Sequence, residues 1–206
     1  MSRKEKNGSG KMKLALIGLA LILFADIVSD LAMFIGDFNV VNWAEAGVTA
    51  VAWIMIIVAF ATMRHKRKEF ARGFIVSIIG FLAIIGHMGF VFLNVRAEIG
   101  VNPFSPMKPM FCEYFSDLMM LLVFYLLVRG CGQLIARGGD MKLAQLSIKK
   151  SNTEPIIALL AMLLTTFGSI FNMPLSIIIG AVGIVVNAAM RVDMMNYIKT
   201  GMKNEF

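Results

Sequence analysis

Six long apolar stretches fill almost the whole chain of 206 residues, and few folds accept such a pattern. A helix needs about 20 apolar residues to cross the hydrocarbon core of a bilayer. The expected spans are 14–36, 44–63, 73–94, 110–135, 156–172 and 174–195. The fifth is short and the fourth long, so tilt or a shifted boundary is expected in both. A transmembrane β-barrel would alternate apolar and polar residues, and runs such as Ile54, Met55, Ile56, Ile57 and Val58 do not. Only 16% of the residues are charged, well below the share usual in a soluble domain. The expected fold is therefore an all-α integral membrane protein with six transmembrane helices.

Lysine and arginine give the orientation. They fall in the amino-terminal segment (Arg3, Lys4, Lys6, Lys11, Lys13), between spans two and three (Arg64, Lys66, Arg67, Lys68, Arg72), between spans four and five (Arg129, Arg137, Lys142, Lys149, Lys150), and in the carboxyl-terminal segment (Arg191, Lys199, Lys203). Only Arg96 and Lys108 fall on the opposite side. The positive-inside rule then places both termini in the cytoplasm. Residues 1–13 read as a flexible basic tail, 14–198 as the membrane domain and 199–206 as a second tail. The first span is too long, and too acidic with Asp26 and Asp30, to be a cleaved signal peptide. Short loops fit a bacterial plasma membrane.

The net charge of +7 is thus a consequence of topology and not a nucleic-acid signature, since the basic residues are dispersed and no nucleic-acid motif accompanies them. Basic loops also suit anionic headgroups. No segment is large enough for a separate soluble domain. Gly138 and Gly139 are expected to end the fourth helix, residues 140–150 to form a short interfacial helix, and Thr153, Glu154 and Pro155 to start span five.

Spans one and four share the pattern Phe-x-acid-x-x-Ser-Asp-Leu-x-Met, at Phe24–Met33 and Phe111–Met120. Spans three and six align more loosely, Ser77 to His87 against Ser176 to Asn187. A 3+3 inverted repeat, common among secondary transporters, would produce this. Against it, both motifs fall in the outer half, whereas inversion should mirror their depths.

Chemistry is confined to the few polar residues within the spans. Asp26 and Asp30 stand at i and i+4, on one face of the first helix. An ionised carboxylate in mid-bilayer costs roughly 2.5–3.5 kcal/mol or more, and two stacked carboxylates favour a shared proton or a cation between them. They are the leading candidates for a ligand or ion site; the alternative is a polar patch that joins helices. His87, between Gly86 and Gly89, becomes a ligand or proton relay if it meets an aspartate. Glu113 and Asp117 would extend an acidic funnel, or simply complement a helix amino terminus, as would Glu45. Any metal would fall to Asp26, Asp30 and His87.

No Gly-rich nucleotide loop, zinc helix or nucleophile elbow is present, so no catalytic residue and no cofactor beyond a bound cation is expected. An intramembrane hydrolase built on Ser29, His87 and an aspartate is the minor reading. The leading expectation is a small carrier or channel-like protein binding a cation, a proton-coupled solute or a cationic small molecule. The alternative is a non-catalytic subunit or scaffold of a larger membrane complex. Besides the bilayer, a homo-oligomer or partner complex is expected and nucleic acid is not.

Overall fold

The computed structural model describes residues 3–32, 38–97, 107–168 and 173–205. They form six helices: α1 (Arg3–Ala32), α2 (Phe38–Met63), α3 (Lys68–Ala97), α4 (Met107–Gly138), α5 (Met141–Gly168) and α6 (Met173–Glu205). Five contain stretches long and apolar enough to cross a membrane, namely Lys11–Ser29, Ala44–Met63, Lys68–Phe90, Tyr114–Gly138 and Ile177–Met202. The described part of α5 does not reach that mark, because its first half carries Lys142, Lys149, Lys150 and Glu154. Residues 169–172 of the expected fifth span lie outside the described residues, as does 98–106 of the long connection between α3 and α4.

Helices follow the apolar runs but extend beyond them. Thus α1 is helical back to Arg3, and α2 begins six residues before its expected span. The expected stop at Gly138 and Gly139 holds: α4 ends at Gly138, and Gly139 takes φ 97°, which other residues rarely adopt. Asp140 then caps α5, its Oδ1 accepting from the Leu143 N–H at 3.0 Å.

One boundary differs from the sequence expectation. Residues 141–150 are not a separate interfacial helix; α5 runs unbroken through Pro155. An interior proline costs about 3 kcal/mol, but α5 is held on both sides by neighbours. Ser147 packs against Gly132 of α4, and Tyr197 of α6 donates to the Leu143 carbonyl at 2.9 Å. Tertiary packing outweighs the local break.

Each helix packs on the next, and α6 returns to touch both α4 and α1. The α4 helix is central: 67% of its apolar stretch is buried, against 17% for α6. At the end bearing most of the basic residues, Cys131 Sγ lies 3.5 Å from Met12 Sδ, joining α4 to α1. Deeper in, Trp53 of α2 packs against Gly80 of α3, where a Cβ would collide with the indole. Its Nε1 donates to Ser116 Oγ of α4 at 3.1 Å. One tryptophan thereby registers three helices. The two halves of the chain pack differently: α4 rests on α6, while α1 and α3 share no comparable contact among the described residues.

Candidate functional site

Arg191 falls within the expected span 174–195, although the charge count groups it with the carboxyl-terminal basic residues, and it lies inside the apolar stretch Ile177–Met202 of α6. Eleven residues separate it from Met202, about 16 Å along the helix. It is among the largest fully buried side chains in the molecule. Its Nη1 is ion-paired to Asp26 Oδ2 of α1, so the first and last helices are joined by opposite charges well inside the bundle. A clue was available in the sequence: Arg191 follows Asn187 by one turn, in an otherwise apolar run.

The pair is not evenly enclosed. The Arg191 side chain is 1% exposed and that of Asp26 20%. Arg191 is thus the enclosed member of the pair and Asp26 the partly exposed one. Two polar atoms of α6 remain buried without a protein partner, Arg191 Nε and Asn187 Oδ1. Buried polar groups are nearly always satisfied, so an unpartnered donor and an unpartnered acceptor one turn apart on α6 set this stretch off from the rest of the helix.

The other candidates distribute as follows. His87 on α3 and Asp117 on α4 are both half-buried and both engaged in interactions. They belong to the α3–α4 pair, where Gly86 faces Cys112, while Asp26 turns to α6. Asp30 and Glu113 lie within α1 and α4, and their side chains lie outside the described residues. The expected helix-end role of the acids does not hold. Because α4 begins at Met107 and α2 at Phe38, Glu113, Asp117 and Glu45 all sit beyond the first helical turn, where the macrodipole has faded. Among the described residues no group of three or more His, Cys, Asp or Glu side chains converges in a way that would hold a metal ion.

A second charged group joins α5 to α6. Lys150 Nζ bonds Glu154 Oε1 at 2.8 Å and also Asp193 Oδ2. Burial pushes the Glu154 carboxyl above its ordinary range, and the Lys150 ammonium offsets this only in part. Burial also works against the Lys150 charge, but hydrogen bonds to Asp193 and Glu154 outweigh it and raise the ammonium's pKa. Glu154 Oε2 stays buried and unpartnered. Thus α6 is fastened by ions on two sides, through Arg191 to α1 and through Asp193 to α5.

No protein-family model matches the chain, and neither a curated protein nor a solved structure shows significant similarity to it.

Proposed function

We propose that this chain is a six-span protein of a bacterial plasma membrane, with both termini in the cytoplasm, that binds and carries a small polar solute in exchange for a proton or cation at Asp26. The observation that carries the reading is the Asp26–Arg191 pair, with Arg191 fully enclosed and its Nε and Asn187 Oδ1 unpartnered. An ion pair replaced by apolar side chains of similar size is often no less stable, so stability alone does not account for a charged arginine there.

Asp26 carries a charge already balanced by Arg191. A cation must compete with the guanidinium, whereas a proton removes the attraction outright. Neutralising Asp26 would release Arg191 for an anionic or polar solute, with Asn187 Oδ1 as an adjacent acceptor. The bond between α1 and α6 would then be the element that opens and closes.

Thermal unfolding of the purified protein tests this, across pH and a panel of sodium, potassium, magnesium, small amines and small carboxylates. A ligand bound only by the folded state raises the melting temperature by mass action. Asp26→Asn mimics the neutral carboxyl, so a small carboxylate is expected to raise it more in that variant than in the wild type, and any shift caused by a cation is expected to disappear there. If wild type and Asp26→Asn respond alike to every panel member, the pair is a structural tie, and the protein is better read as a subunit of a larger complex.

A further inference from the structure

The chain reverses between α2 and α3 within residues 64–67, and that turn is Arg64, His65, Lys66 and Arg67, followed at once by Lys68. The Lys66 N–H bonds the Met63 carbonyl at 2.8 Å, which closes the turn. The Ala71 N–H bonds the Arg67 carbonyl at 3.2 Å, so Arg67 caps α3. The first N–H groups of a helix have no partner within it, and they add a partial positive charge to the fixed ones.

These residues do not merely decorate a surface. With Glu69, Ala71 and Gln133 of α4 they line an open groove of about 520 Å³. Arg67 Nη2 donates to the Gln133 carbonyl at 3.2 Å, which holds the guanidinium in place. Gln133 Nε2 in turn donates to Glu69 Oε1 at 2.7 Å, so the groove's acid is already engaged with α4. Arg67 Nε is buried without a protein partner. The positive-inside rule asks for basic residues near span ends; it does not ask for Arg64, Lys66, Arg67 and Lys68 to line one groove with a guanidinium held by a carbonyl of another helix.

We propose that this turn, with Gln133, is a binding site for a phosphate-bearing anion, supplied either by an anionic lipid headgroup or by a free phosphate compound. Arginine suits phosphate because its planar fork meets two oxygens at once. The site stands apart from the Asp26–Arg191 pair and does not depend on its role.

The test uses the full-length protein in maltoside micelles. Two probes are added separately: inorganic phosphate, followed by calorimetric titration, and phosphatidylglycerol, followed by native mass spectrometry. Arg67→Gln is expected to weaken binding about tenfold, the effect of losing one charge-assisted hydrogen bond. Arg64→Gln, on an exposed side chain, should weaken it in the same direction and guards against misfolding of the first variant. Lys142→Gln removes the same charge from the exposed start of α5 and should change binding less than about twofold. Binding of phosphate itself points to a free compound, and binding of the lipid alone to a headgroup. If neither probe binds, or if Lys142→Gln weakens binding as much as Arg67→Gln, the proposal is overturned.

Discussion

Arg191→Leu is expected to lower the stability of the folded protein by about 3–5 kcal/mol, because it leaves Asp26 as an uncompensated charge inside the bundle. The double variant Asp26→Asn with Arg191→Gln should recover most of that loss, since it removes both charges and keeps polar side chains that can hydrogen-bond. Thermal unfolding of the single and double variants in detergent reads both effects. Equal stability of Arg191→Leu and wild type would mean that the pair contributes nothing to the fold. Recovery in the double variant has a second use: it gives a folded protein without the charges, in which a loss of ligand response cannot be blamed on unfolding.

The second large effect is expected at Trp53. Its side chain is fully buried, lies on Gly80 and donates to Ser116. Trp53→Ala removes the packing that registers α2, α3 and α4, at a cost of about 3–5 kcal/mol. In lipid this loss is chiefly one of van der Waals contact, because hydrocarbon tails are as apolar as the core. Trp53→Phe keeps most of that contact and forfeits one interhelical hydrogen bond, worth on average about 0.6 kcal/mol inside a membrane. Unfolding measurements that rank the two variants equally would contradict the wedge described for this residue.

Much of the fold was legible in the sequence, for reasons that are local. Apolar runs of spanning length mark the helices, and Gly138 with Gly139 marks the stop after α4. What local pattern could not show was adjacency. Asp26 stood out as a costly intramembrane acid, but its partner is 165 positions away, and nothing local says that the first helix meets the last. Without that contact, Arg191 looked like one more basic residue near a chain end. The same limit applies at Pro155, a local signal to stop that packing on α4 and α6 overrides. It applies as well to Glu45, Glu113 and Asp117, whose expected place at helix ends assumed that helices end where apolar runs do. Asp26 and Asp30 share a helix face by spacing alone; the turn of Asp26 toward α6 is a property of the assembled bundle.

The most direct measurement of the central claim is solute-driven proton movement in proteoliposomes. Wild type and the Asp26→Asn/Arg191→Gln double variant would be reconstituted with a trapped pH-sensitive dye. Small carboxylates, amines and neutral polar solutes would then be added outside, one at a time. The account predicts that at least one solute changes the internal pH with the wild type and that the change disappears in the folded double variant. A solute-driven change of equal rate in both proteins would contradict it, because transport would then proceed without the charges at Asp26 and Arg191.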